Sequence, residues 1–378
     1  MADFKLDPWE YEPFWLKVIT PYLKKKKFPY LEGIPEEKKW YRIAAPGCVV
    51  ANGDPFYGDF YKGTENKLMI FFVGGGVSWN EYMAARPASL YQKDHTEGFY
   101  LMQMDLVTDI QMKNGIFEES ERNPFRNWSK LVVPYSTGDL HCGTGEFPYT
   151  AKDGSRRICY HHGYTNFHTV LAKTIEMVPD PEVLLVCGCS GGGFGTSILM
   201  DSIMERFSKC MNVTCLVDSG FFPKDGWHDI ARDVWKAPDE IVKRVHSDMI
   251  TLDVLEALHQ KWGSRVKILM DCSARDCDLA RFMNFSRNNQ LTVSKEIGQQ
   301  FKEWLKKIMT RAKTNIPEAG IYIFDIPDKK KKGMDLTIHC ILTEKELYEQ
   351  SADRVTCMQW ICDAVNGKVG TYGLELLE

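Results

Sequence analysis

The chain reads as an α/β protein built on a mostly parallel sheet with helices on both faces. Three observations predict this. Largely apolar runs recur at Leu68–Val73, Leu131–Tyr135, Val183–Val186, Val213–Val217, Arg265–Met270 and Gly320–Ile326, without the polar alternation of half-exposed strands. Segments with apolar residues at helical spacing separate many of these runs, the alternation that winds a parallel sheet. Two of the runs stop abruptly in three or more glycine-rich positions, as strands do when they turn sharply at their C-terminal ends.

The elements follow in order. Residues 1–45 are rich in aromatics and lysine (Trp9, Tyr11, Phe14, Trp15, Phe28, Tyr30) and read as a segment packed onto a single domain spanning 1–378. Cys48 to Tyr61 reads as two strands joined by a turn at Asn52-Gly53-Asp54-Pro55. The strand at 68–73 runs into Gly74-Gly75-Gly76, and the strand at 131–135 into Ser136–His141. A helix over about 164–178 returns to the strand at 183, and a second helix continues to about 208. The strand at 213–217 ends in Asp218-Ser219-Gly220. Residues 221–262 are mostly helical and carry Trp227, Trp235 and Trp262; they form either a cap over the site or ordinary crossover helices. After the strand at 265–270 come the acid-rich loop Asp271–Asp278, an amphipathic helix over 293–313, the strand at 320–326, a strand end at Leu336–Cys340, and a closing helix over 351–365.

Composition excludes several classes. With 378 residues, 44% hydrophobic and 26% charged, the chain is long enough for one large α/β domain with insertions. Its net charge of −4 and lack of a strongly basic region argue against a nucleic-acid partner. The runs Lys24–Lys27 and Lys329–Lys332 read as solvated turns. No apolar stretch is as long as a membrane span, so no membrane partner is expected. The N-terminus lacks the basic start and apolar run of a secretory signal, and the twelve cysteines include no C-x-x-C pair. Reduced thiols in a cytoplasmic protein are the expectation, with neither a metal nor any other cofactor.

The chemistry centres on Gly188-Cys189-Ser190-Gly191-Gly192-Gly193, which follows a buried strand and precedes a helix marked by Phe194, Ile198, Met200, Ile203 and Met204. Strand, glycine-rich turn and helix with serine at the apex form the G-x-S-x-G nucleophile elbow. Such turns also bind phosphate, but no Gly-Lys-Ser/Thr follows here. The Gly74–Gly76 loop sits where a serine hydrolase of this kind builds the other half of its oxyanion hole. A serine hydroxyl needs a base, and His339 is the histidine that combines a late position with a strand end. His141, His161 and His162 precede the serine and either line the pocket or make structural hydrogen bonds. Asp271, Asp276 and Asp278 all follow the strand where the acid belongs, Asp218 competes, and any of the first three also fits as a helix cap. Phe194, Trp79, Phe221 and Trp227 fit either an aromatic pocket wall or the core.

The pieces Phe72–Gly76, Val133–Asp139, Gly188–Gly192, Val217–Gly220, Ser273–Asp276 and His339-Cys340 occur in an order that resembles the pectin acetylesterase family of serine carboxylesterases. Met358–Ile361 with Val365–Gly367 resembles that family's last helix. The resemblance implies an α/β-hydrolase-like fold and deacylation by a triad of Ser190, Asp276 and His339. It puts the oxyanion donors at the backbone N–H groups of Gly76, Val77 and Gly191. Gly75, Trp79, Asp139, His141 and Phe194 are the expected substrate contacts. The chain departs from the family at Val77, at Val73-Gly74 and at Asp278-Leu279, which points away from pectin itself. The expected substrate is therefore a saccharide or small-molecule ester carrying a short acyl group such as acetyl. A peptidase or thioesterase with the same triad, and a catalytically silent hydrolase-like binding protein, are the alternatives.

Overall fold

The computed structural model describes residues 28–88, 98–102, 106–151, 154–349 and 351–378. Eight strands form one sheet: β1 (Lys39–Val49), β2 (Pro55–Lys62), β3 (Glu65–Phe72), β4 (Trp128–Val133), β5 (Val183–Cys189), β6 (Asn212–Asp218), β7 (Val266–Ser273) and β8 (Gly320–Phe324). Their spatial order is β1-β2-β4-β3-β5-β6-β7-β8. β2 runs antiparallel to both of its neighbours, and every pairing from β4 across to β8 is parallel. This is the α/β-hydrolase sheet. Its centre is dry because the sequence leaves nothing to solvate: Leu68–Phe72 of β3 and Leu184–Val186 of β5 are fully buried.

Among the described residues, six longer helices flank the sheet: α1 (Gly163–Met177), α2 (Gly191–Arg206), α3 (Ile250–Trp262), α4 (Cys277–Asn288), α5 (Lys295–Asn315) and α6 (Cys357–Val365). α2 is buried on all sides from Gly191 to Met200, which its small and apolar residues permit. Asn52–Pro55 does make the turn between β1 and β2, with Asn52 and Asp54 bonded to each other.

Several expectations need correction. Residues 39–45 are not an appendage: they belong to β1, paired along β2, while residues 1–27 lie outside the described residues. A hairpin of Gly145–Thr150 with Arg156–His161 precedes α1. Leu336–Cys340 is not a strand; Thr337 instead makes isolated bridges to Asp276 and Pro327. The closing helix begins only at Cys357, because Ser351–Ala352 and Val355–Thr356 pair with each other first. Within 221–262, Trp227 and Trp235 are fully buried, and the Trp227 ring lies 6.2 Å from Phe194 and 6.0 Å from Trp79. Among the described residues, none of this segment lines the cavity described below, although Phe222 stacks on Phe282 of its wall at 5.7 Å. No helix among the described residues is long and apolar enough to cross a membrane.

Candidate active site

β5 delivers Ser190 directly to α2. Ser190 has φ 55° and ψ −125°, a strained conformation for a non-glycine residue, and its N–H donates to the Asp218 carbonyl at 2.9 Å. The glycine before it is sterically required: a Cβ on Gly188 would lie 2.7 Å from the Phe72 carbonyl and 2.5 Å from that of Gly192. The elbow therefore fits only where β3 and α2 press against its glycines.

The acid and the base come from two loops stitched together. Asp276 caps α4, its Oδ1 accepting from the N–H groups of Asp278 (3.0 Å) and Leu279 (2.9 Å). The same carboxylate faces His339, with Nδ1 2.8 Å from Oδ2 and 3.0 Å from Oδ1. So Asp276 caps a helix and holds a histidine. The loops are fixed by Cys277 N–H to the Thr337 carbonyl (3.1 Å), Thr337 N–H to the Arg275 carbonyl (3.1 Å) and Ser273 Oγ to the Ile338 carbonyl (2.7 Å). Burial alone would lower the His339 pKa, but the carboxylates of Asp276, Asp278 and Asp218 outweigh it and raise it above the ordinary value. Burial also holds Asp276 above the usual carboxylate range, with His339 and the Leu279 N–H pulling the other way.

Ser190 and His339 open into one cavity of about 370 Å³. Gly74, Gly75 and Gly76 form one wall, Phe99, Leu101 and Phe282 give an apolar side, and Gln111, Asp278, Arg281, Thr343 and Glu344 give a polar one. Arg281 lies 3.6 Å from Asp278, an i, i+3 pair on α4. Burial works against charge on Asp278, yet His339 and Arg281 bring its pKa below the usual range.

The glycine loop corrects one oxyanion assignment. Gly76 has φ 78° and bridges Tyr100 in antiparallel fashion. In that bridge the Val77 N–H donates to the Phe99 carbonyl at 2.8 Å, so it is not available to an oxyanion. Gly76 presents its own N–H on the opposite edge. That edge adjoins the elbow, since a Cβ on Gly191 would lie 2.9 Å from the Gly76 carbonyl oxygen.

Four expected substrate contacts also fall elsewhere. Asp139 is fully buried and organises its own loop, accepting from Thr137 Oγ1 (2.6 Å) and from the N–H groups of His141 (3.1 Å), Gly143 (3.0 Å) and Gly163 (2.8 Å). His141 is buried between Phe72 and Tyr135, with Nε2 3.0 Å from the Val73 carbonyl, and burial pushes its pKa down to about 4. His161 is likewise structural, bonded to the Thr137 carbonyl at 2.7 Å. Trp79 and Phe194 sit in an aromatic cluster with Phe222 and Trp227, behind the cavity rather than in its wall. Of the expected contacts, Gly75 lines the cavity. Arg281, Phe282, Gln111, Thr343 and Glu344 were not anticipated; for the first two, the spacing of 278, 281 and 282 on a helix capped by Asp276 is the signal that finds them.

Sheet order and the strand–serine–helix elbow are those of the α/β-hydrolase class. The sequence profile of the pectinacetylesterase family matches residues 55–251, and the chain belongs to that family. A search of the curated proteins finds no match. Among solved structures, the Wnt deacylase Notum from Drosophila is 16% identical, with a TM-score of 0.57 over 87% of this chain and 94% of that one, a likeness of fold.

Proposed function

We propose that the protein removes a short acyl group, such as acetyl, from a saccharide or small-molecule alcohol, with Ser190 as nucleophile, His339 as general base and Asp276 as the orienting acid. The observation that carries this reading is the opening of Ser190 and His339 into one cavity, with Asp276 fixed behind the histidine. The Nδ1–H of His339 donates to Asp276, which leaves Nε2 free to accept the serine proton as Oγ attacks the ester carbonyl. The N–H groups of Gly76 and Gly191 face the resulting oxyanion. The imidazolium then gives its proton to the departing alcohol, and water resolves the acyl-enzyme by the same route in reverse. The polar wall of Gln111, Asp278, Arg281, Thr343 and Glu344 suits a hydroxylated alcohol, and the apolar wall suits the acyl chain.

The test is hydrolysis of a p-nitrophenyl ester series from acetate to decanoate by wild type and Ser190→Ala. The expected result is a preference for the short esters and a loss of several orders of magnitude in kcat/KM in the variant. Equal rates for the two proteins would overturn the assignment, and a preference for decanoate would overturn the substrate class.

A further inference from the structure

Beneath the elbow lies a second pair of carboxyl groups that the chemistry above does not use. Asp218 ends β6 and Asp271 stands beside it on β7, the two being register partners, and both are fully buried. Asp218 reaches both halves of the site. Its carbonyl accepts the Ser190 N–H at 2.9 Å, while its Oδ2 accepts the N–H groups of Ile341 and Leu342, both at 2.9 Å, just beyond His339. Asp271 accepts the Ser219 N–H through its own carbonyl at 2.9 Å. Its side-chain oxygens receive no N–H or hydroxyl among the described residues, and the group they meet is the Asp218 carboxyl.

The surroundings determine the protonation. The titratable groups facing the pair are Cys187 and Cys189 on β5, Cys272 on β7, Tyr322 on β8, His339, Cys340 and Glu344 beyond β8, and Cys357 at the start of α6. His339 is the one cationic group in that set, and it is committed to Asp276. Two carboxylates in contact in a dry site without a cation of their own cannot both be ionised. Asp218 Oδ2 is the oxygen supplied with N–H donors, so the shared proton belongs to Asp271.

We propose that Asp271, as a neutral carboxylic acid, donates a hydrogen bond to Asp218 and so sets the orientation in which Asp218 binds the His339 loop to the strand that also holds Ser190. Both are positioning residues; neither faces the cavity. The inference rests on the reading of Ser190 and His339 above. Burial and the neighbouring Asp218 raise the Asp271 pKa well above the ordinary value. A raised carboxyl pKa favours the fold fully below the unfolded value, and that contribution is lost as pH rises through the folded value.

The experiment compares wild type, Asp271→Asn and Asp271→Val for kcat and KM on p-nitrophenyl acetate and for Tm between pH 5 and 9. Asparagine keeps a neutral donor of the same shape and should retain most of kcat. Valine leaves Asp218 without its donor and should lower kcat by about 10²-fold through misplacement of His339, with KM nearly unchanged. The Tm of wild type should fall relative to Asp271→Asn as pH rises, whatever the substrate, which tests the shared proton apart from catalysis. A pH-independent Tm difference refutes the shared proton. Equal kcat for valine and wild type, or equal losses for asparagine and valine, refutes the positioning role. Should the valine variant fail to fold, asparagine decides: wild-type-like kcat with the relative Tm rising toward alkaline pH supports the pair, and any other result refutes it. Failure of the nucleophile assignment shows differently, as undiminished turnover in Ser190→Ala.

Discussion

Changing Asp276 to asparagine separates the two tasks of that residue. In the wild type Oδ1 caps α4 through two N–H groups, and the carboxylate holds His339 Nδ1 at 2.8 Å. An asparagine has one oxygen to divide between these tasks. Turning its amide nitrogen toward the helix would orphan two buried N–H groups at roughly 1–3 kcal/mol each. The oxygen therefore stays on the cap and the NH₂ faces Nδ1. That forces the imidazole to accept at Nδ1 and carry its proton on Nε2, the nitrogen that must receive the proton of Ser190. The corresponding change in a Ser-His-Asp triad costs about 10⁴ in kcat, or about 5.5 kcal/mol of barrier. The raised His339 pKa stabilises the wild-type fold fully below about 6.5, and this contribution fades as pH rises through the folded value. The Tm deficit of Asp276→Asn should accordingly be largest at acid pH and shrink toward alkaline pH. Steady-state hydrolysis of p-nitrophenyl acetate and thermal melts from pH 5 to 9 measure both effects. A kcat within tenfold of wild type, or a Tm deficit that widens with pH, would refute the reasoning.

Three other outcomes follow from the same geometry. Ser190 holds a backbone conformation that costs on the order of 1–3 kcal/mol for a non-glycine residue, so Ser190→Gly should melt higher than the equally inactive Ser190→Ala; a lower Tm would contradict the strain. Because His339 must shed its proton to act as base and its pKa is raised, kcat/KM should climb with pH through an acid limb centred above 6.5, and a midpoint at or below 6.5 would be inconsistent with Asp276 as its partner. His141→Ala should cost about 2–4 kcal/mol as a buried truncation with KM unchanged; a large rise in KM on the p-nitrophenyl esters would return His141 to the substrate pocket.

The fold was legible where burial is uniform. The apolar runs in β3, β5 and β6 declare themselves because strands covered on both faces leave no polar alternation. α4 was given no bounds from the sequence, although helix capping by Asp276 was weighed; a capping aspartate followed by Leu279, Phe282, Met283 and Phe285 is a helix start. The hairpin before α1 carries a sequence signal that was passed over: Asp153-Gly154 stands between two short runs of alternating burial. In the proposed site, position alone nominates Ser190 and His339 as candidates, since an elbow is local and a base must come late in the chain. The choice of Asp276 came from resemblance, and only the tertiary meeting of two loops supplies the physical reason. Contacts distant in sequence were invisible: Phe99 engages the Val77 N–H, and Phe72 packs on His141.

The proposed chemistry requires Ser190 to be the activated nucleophile. Incubation of wild type, Ser190→Ala and Asp276→Asn with a fluorophosphonate, followed by intact mass and peptide mapping, tests this directly. The prediction is one adduct per wild-type chain on the peptide containing Ser190, none in Ser190→Ala, and much slower labelling in Asp276→Asn. Labelling that persists in Ser190→Ala, or that maps to Cys189, would contradict it.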